Sequence, residues 1–595
     1  MVESVRARMT KIPAGIKSHR EAPKTWDALV EWASMDHPDG ADAVALKWVK
    51  EGKLSLLHRT LKTGWPPKWQ TKETGFWPAT PSQSISYFGA GVQIDIKLVW
   101  ELHRHQYLPA VAALFAKKND AESASELIDI MLEWGKYHPI FRTVAWMEGI
   151  EVSTRLISWC DTIAQLSPLL PDEDPRMGEI ATILSKHAEW LSTHLSQKWR
   201  LNNNHLLLEL AGLIVAGNAL PWHPSSTRWR RIGLTLMLKE LNAQTLNGRN
   251  WEPTTAYHRF VTEALLAARW SWFGRPMTGL KNRRESEAIQ KIETILQQYL
   301  DTLWLLCDEN SQIPLVGDDD AGVIFPRAKN WSVADSAQIF SISEAQGLLP
   351  NKEDGFKVWQ QCSMGVIKRG GFHVHLTAGA PSGPARQGSH RHLDFLSCSI
   401  SLNGMPVLID PGTFTYFGSR KWRNMMRTSR VHPTVWTKSG EFASLRDLFE
   451  MTTNPLGQIE RVPNGLKSKC THPKLGYVER TVTLDGKNLV ITDEGDLAKP
   501  CWSFPIPKGS EWRIEGSILI VVGNGWRLEH RPVTRHVSEI KGDIPKGADP
   551  NNLLSDNPID GVISSGYGQI ESGLRLEVDG DWREKRTTTI SPFDS

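Results

Sequence analysis

The sequence predicts an α+β multidomain chain, with a helical domain over residues 1–340 followed by an antiparallel β-sandwich over 341–595. Three observations predict it. From about Thr25 to Cys307 the apolar residues recur at helical spacing. From about Lys357 the pattern changes to short runs divided by Gly, Asn and Asp turns, as in an all-β unit. The length of 595 residues is more than a single core organises.

Hydrophobic residues make up 40% and charged residues 23%, the balance of an ordinary soluble chain, and no apolar run reaches the length of a membrane span. A net charge of +3 excludes a whole-molecule polyanion binder, and nothing points to nucleic acid. Most of the 26 tryptophans read as core, with some flat indole faces left for sugar rings. Arg6, Arg8, Lys11, Lys17 and Arg20 are followed by no apolar segment. The chain therefore reads as cytoplasmic, with a periplasmic or secreted location if a leader has been removed. Cys160, Cys307, Cys362, Cys398, Cys470 and Cys501 lack metal-type spacing and read as reduced thiols.

In the helical region, Leu98, Leu102, Leu108, Val111 and Phe115 share one face between Ile94 and Phe115. Further helices are expected near 122–135, 143–166, 176–195, 203–218, 227–243, 256–271 and 285–305, with breakers such as Pro168, Pro171, Pro175, Pro221 and Pro224 between them. So many paired helices imply a toroid or a solenoid. Asp95, Lys97, Glu101 and Arg104 read as an ion network on a solvated helix face, with the wall of an anionic-sugar cleft as the alternative. Asn202 or Asn203 caps a helix that is apolar all round, which places Asn204 and His205 in the first turn of a buried helix. Glu209 follows His205 by four positions and shares its face. Tyr257 and His258 open another helix after Trp251-Glu252-Pro253. Arg228 to Arg231 and Lys281 to Arg284 read as solvated faces.

Residues 308–360 read as a connection. Its Gly317-Asp318-Asp319-Asp320-Ala321-Gly322 stretch lacks calcium-loop spacing and reads as a polar turn that brings a carboxylate to the domain junction.

The β region is organised around His390-Arg391-His392-Leu393-Asp394. Leu396, Cys398, Ile400 and Leu402 alternate with Ser397, Ser399 and Ser401, as in a half-buried strand. Asn403-Gly404 fits a hairpin turn with two positive φ angles, and Val407-Leu408-Ile409 returns to Asp410-Pro411-Gly412. A strict register through that turn pairs Asp410 with Ser397, so a bend or bulge is needed before Asp410 can face His392. Beyond it, Phe414, Tyr416, Lys421, Arg423, Arg427 and Arg430 precede His432 in a basic, aromatic loop suited to a carboxylated sugar.

The His-x-His-x-Asp-x-Leu-Ser run, the Asn-Gly turn and the Asp-Pro-Gly-Thr turn, together with Asn203-Asn204-His205, Glu209 and Tyr257-His258, resemble the motifs of heparinase II/III-like polysaccharide lyases. That resemblance implies an (α/α) toroid followed by a β-sandwich. It also implies β-elimination on a uronic acid linked through O4: a base takes the C5 proton, the C4–O bond breaks, and a 4,5-unsaturated end remains. It assigns Asn204 and His205 to the sugar carboxylate, Tyr257 to acid or to acid and base, and His390 or His205 to the base for the opposite epimer. Glu209, His258, Tyr416, Arg423, Arg427 and Arg430 would line the substrate. His392, Asp410 and His432 would hold one structural divalent metal, zinc by ligand type, with no organic cofactor. Tyrosine is a poor base at its ordinary pKa, so Arg427 or Arg430 is expected to lower it. Two other classes fit parts of the pattern. A glycoside hydrolase would draw on Glu209, Glu252 and Asp394. A non-catalytic glycan-binding or surface-polysaccharide-processing protein could keep the fold without turnover. The lack of a visible leader fits a role beside surface-polysaccharide synthesis.

Overall fold

A computed structural model describes residues 41–593, apart from 58, 87–93, 172, 198–202, 274–282, 325–335, 380–389, 453–456, 545–552 and 555–556. The basic residues of the first 25 positions, Asn202, Lys281-Asn282 and Gly388-Ser389 lie outside the described residues. The fold is an (α/α) toroid followed by antiparallel sheets packed as a sandwich.

The described helices of the first part are α1 (Ala41–Glu51), α2 (Ile96–Arg104), α3 (Leu108–Lys118), α4 (Ala121–Tyr137), α5 (Gly149–Leu166), α6 (Arg176–Thr193), α7 (Asn204–Ala219), α8 (Ser226–Gln244), α9 (Thr255–Trp270), α10 (Arg283–Leu306) and α11 (Ser336–Ala345). Helix α7 is buried almost throughout and packs against α5, α8 and α9, which explains its apolar residues on every side. The single helix expected over 94–115 is two. His105 takes a left-handed φ of 59° and closes α2, and Pro109 sits in the first turn of α3. The expected connection holds α11, whose Ile339 and Ile342 are buried in the helical core. Trp229 and Arg230 are also buried, contrary to a solvated face, because Arg230 pairs with Glu285 of α10.

In the second part, the hairpin strands Cys398–Leu402 and Met405–Leu408 close one edge of a five-stranded antiparallel sheet. A four-stranded and an eight-stranded sheet follow. Val374, Leu376 and Ile400 of the first, Val478 and Ile491 of the eight-stranded and Trp502 and Phe504 of the four-stranded sheet share one core. Asn403 and Gly404 both take positive φ at the turn. Leu402 pairs with Met405 and Ser401 with Pro406, but Ile400 pairs with Leu408, so Val407 is an extra residue. That bulge is the bend Asp410 needs. All six cysteines are buried and free, and among the described residues no helix is long and apolar enough to cross a membrane.

Candidate active site

A cavity of about 270 Å³ opens between the toroid and the sandwich. Its helical wall carries Lys97, Trp100 and Arg104 of α2, Glu148 and Glu151 at the start of α5, Asn204 and His205 of α7, and Tyr257 of α9. His390, Tyr416, Phe417 and Phe449 come from the β half, and Asp320 from the connection.

Helix N-termini aim the helical residues. The Asn203 side chain caps α7 by accepting from the His205 N–H at 3.2 Å. Thr254 caps α9 by accepting from the Tyr257 N–H at 2.9 Å. Asn204 is fully buried and donates to Glu252 Oε1 through both its backbone N–H and its Nδ2, each at 2.8 Å, while its Oδ1 has no partner among the described residues. The other oxygen of Glu252 lies 2.7 Å from His390 Nδ1. Glu252 therefore ties the two halves of the site together. Burial alone would raise its pKa, but the His390 hydrogen bond and charge and the Asn204 bonds hold it below the usual carboxylate range.

His390 takes a positive φ of 61° and its carbonyl accepts from the Asp318 N–H at 3.0 Å. Its ring stacks on Tyr257, with centroids 4.3 Å apart and planes at 26°. The Tyr257 hydroxyl lies 3.1 Å from that of Tyr416. Burial, then the negative charges of Asp320 and Asp318, raise Tyr257 well above its ordinary pKa. The expected lowering by Arg427 or Arg430 is therefore corrected. Arg427 directs its Nε and Nη1 to the carbonyls of Arg391, Asp447 and Leu448, Arg430 pairs with Asp560, and neither lines the cavity. Burial, then the charge of His390, lowers His205 to about 4 and keeps it neutral. Glu148 is pushed up to about 8 by burial and by Glu151 and Glu209.

The α2 network is not solvated; it is buried and forms a cavity wall. Lys97 reaches Glu101 at 2.5 Å and Asp320 at 2.9 Å, and Arg104 reaches Glu101 at 2.6 Å and Glu151 at 2.9 Å. The cause is the N-cap residue Asp95, which accepts from Thr415 and Tyr567 of the β half, each at 2.7 Å, and so seals this helix end against the sandwich.

Asn204, His205, Tyr257, His390 and Tyr416 thus meet in one cavity, whereas Glu209, His258, Arg423, Arg427 and Arg430 do not line it. Glu209 turns away from His205 to accept from the backbone and side chain of Ser196. His258 is clamped between Asn250 N–H and the Tyr299 carbonyl. Arg423, in the short helix α12 (Arg420–Met426), pairs with Asp318 and lies 4.8 Å over the Tyr416 ring. The sequence places a carboxylate of the 317–322 stretch at the domain junction without singling out Asp318 or Asp320, gives no role to Phe449, and offers Glu252 to a hydrolase alone. The Glu-Pro pair before the Thr254 cap was the one local signal for Glu252.

His392, Asp410 and His432 are buried, with one ligand atom of each within 4.8 Å of the others. His392 Nδ1 and His432 Nε2 have no hydrogen-bond partner among the described residues. Two unpartnered imidazole nitrogens beside a carboxylate fit a divalent cation. The opposite nitrogen of the His392 ring is held by Asp318, a carboxylate outside the set, at 3.0 Å, whereas His432 Nδ1 lies 3.1 Å from Asp410 itself.

Residues 50–303 match the family model described as heparinase II/III N-terminus, and residues 353–543 the one described as heparinase II/III-like, C-terminal. Over 385 residues the chain is 23% identical to a heparin-sulfate lyase of Pedobacter heparinus, covering 60% of this chain and 55% of that protein. Over 446 residues it is 24% identical to a heparin-sulfate lyase of Bacteroides stercoris, covering 67% of this chain and 62% of the relative. The chain therefore spans little more than half the length of these relatives. The crystal structure of a heparinase III shares the fold, with a TM-score of 0.64 at 14% identity over 95% of this chain and 86% of the other.

Proposed function

Because this chain belongs to the heparinase II/III family, we propose that it is a polysaccharide lyase that cleaves a uronic-acid-containing anionic polysaccharide by β-elimination. The observation that carries the reading is the single cavity that gathers a neutral imidazole, an imidazole–carboxylate pair and a protonated phenol.

Elimination needs charge neutralised at the sugar carboxylate, a base at C5 and an acid at the leaving oxygen. His390, with Nδ1 on Glu252, has Nε2 left to donate, and Asn204 has one amide hydrogen left beside it. These two address the carboxylate as charge develops there. His205 is neutral and is the base. Tyr257 keeps its proton in the free protein and gives it to the leaving oxygen; Tyr416, hydrogen-bonded to it, orients the phenol. Trp100, Phe417 and Phe449 give the sugar rings flat apolar faces. His392, Asp410 and His432 would hold a divalent ion, zinc by ligand type, which when bound ties together the base of the loop carrying Tyr416.

The test is a panel of heparan sulfate, hyaluronan, alginate, glucuronan and bacterial surface polysaccharides, followed by ultraviolet absorbance of the unsaturated product. A hydrolase is the second reading, since Glu148 at about 8 and the Arg104-paired Glu151 give one protonated and one ion-paired carboxyl in the same cavity. New reducing ends without a rise in absorbance would favour it. Binding without either product would favour a glycan-binding protein.

A further inference from the structure

Asp318 stands where three parts of the site meet, and it is fully buried. One carboxylate oxygen lies 3.0 Å from His392 Nε2. Both oxygens take Arg423, through Nη1 and, at 2.6 Å, through Nη2. Its N–H holds the His390 carbonyl at 3.0 Å. The Arg423 guanidinium lies against Tyr416, whose hydroxyl meets that of Tyr257. A continuous contact path therefore runs from His392 through Asp318, Arg423 and Tyr416 to Tyr257.

We propose that Asp318 is a positioning residue that couples occupancy of the His392–Asp410–His432 site to the placement of Tyr416 and Tyr257. The link is the His392 ring, which reaches the ion site through Nδ1 and Asp318 through Nε2. An ion on Nδ1 requires the ring proton on Nε2, where it donates to Asp318. Without the ion, the hydrogen bond to Asp318 alone holds the ring. Occupancy thus gives the ring a second anchor and steadies Asp318, and Asp318 fixes the two-pronged contact with Arg423. Arg423 in turn packs the Tyr416 ring. The coupling stands on the metal reading of the triad, and the role it gives Tyr257 rests on the lyase reading above.

The experiment compares wild type, Asp318→Asn, Arg423→Lys and Tyr416→Phe, each stripped with a chelator and then titrated with Zn²⁺. Metal affinity is read by competition with a chromogenic chelator. Order is read by hydrogen exchange over residues 415–418, where the Tyr416 N–H donates to Tyr567 and the Gly418 N–H to Thr415. Turnover and KM are read on whichever uronan the wild type cleaves. In the wild type, Zn²⁺ should slow exchange in this segment and raise kcat with little change in KM. Asp318→Asn should bind Zn²⁺ on the order of 10–100-fold more weakly, and at saturation neither its exchange nor its kcat should respond. Arg423→Lys keeps the charge but loses the fork, so it should bind Zn²⁺ normally and lose the response; it decides the matter if Asp318→Asn fails to fold. Tyr416→Phe should keep the affinity and the exchange response while losing turnover. Failure of the wild type to bind Zn²⁺, or a full exchange response in Asp318→Asn or Arg423→Lys, overturns the coupling. A wild type that orders on Zn²⁺ but cleaves no uronan overturns the proposed function and leaves the coupling standing.

Discussion

Tyr257 lies almost flat on His390, centroids 4.3 Å apart, so the phenol of the toroid and the imidazole of the sandwich form one stacked unit across the domain junction. The stack and the 3.1 Å contact with the Tyr416 hydroxyl together set where the Tyr257 hydroxyl lies. Tyr257→Phe keeps the stack and removes only the hydroxyl. Turnover should fall by roughly 10²-fold or more, the scale of a lost general acid. Stability should change by about 1 kcal/mol, for the hydrogen bond to Tyr416. Product formation near the wild-type rate, followed by absorbance, would exclude Tyr257 as the acid.

Asn204→Ala probes the carboxylate contact. The backbone N–H of residue 204 still donates to Glu252, so Glu252 and His390 should stay in place. The lost donor matters most as charge develops, so kcat should fall by roughly 10²–10³-fold while KM stays within a few-fold. Weaker binding at unchanged kcat would make Asn204 a ground-state contact only.

What could be read from sequence was what is local. Asn203, Asn204 and Tyr257 are placed by helix caps, and caps are written in neighbouring residues. Glu209 and His258 sit on the same helices as these groups, yet α7 and α9 are buried on all sides, so helical spacing could not say which face meets the cavity. Arg423 and Arg427 suggested a basic cleft because charge in a sequence carries no partner. Their partners, Asp318 and a set of backbone carbonyls, are brought in by the fold. The register conflict at Asp410 was visible beforehand, and the extra residue Val407 resolves it.

Stability should pass through a maximum near pH 6–7. Burial lowers His205 and His373 to about 4 and His138, His258 and His530 to about 3. The unfolded chain takes up protons at these histidines below about 6.5, and the folded chain does not. Their contribution is complete above that pH and is lost as pH falls through the folded values, each histidine costing roughly 1.4 kcal/mol per pH unit inside the window. Glu148 and Glu209 act in the opposite sense. Burial foremost raises them to about 8 and about 7, so what they contribute is present below about 4.5 and lost as pH rises through those values. Denaturant melts from pH 4 to 9 check both limbs. Glu148→Gln should flatten the alkaline limb and steepen the acid limb above about pH 4.5; an unchanged alkaline limb would refute the assignment.

The two histidines of the His-x-His motif should separate cleanly. His392 Nδ1 is unpartnered beside Asp410 and His432, while His390 faces the cavity and leans on Glu252. His432→Ala removes a metal-site nitrogen without touching the cavity, so it should lose bound metal and melt at a lower temperature, because binding to the folded site is folding energy. In the wild type, an ion at 100 times its dissociation constant should add about 2.7 kcal/mol, and in His432→Ala much less. The matching change at His390 is His390→Asn, since Asn tolerates the positive φ found there. It should keep metal content and the metal-dependent rise in melting temperature, and lose turnover. Elemental analysis and paired melts with and without chelator read both variants. If His390→Asn loses metal and stability as His432→Ala does, the motif does not divide into one histidine for the substrate and one for the ion.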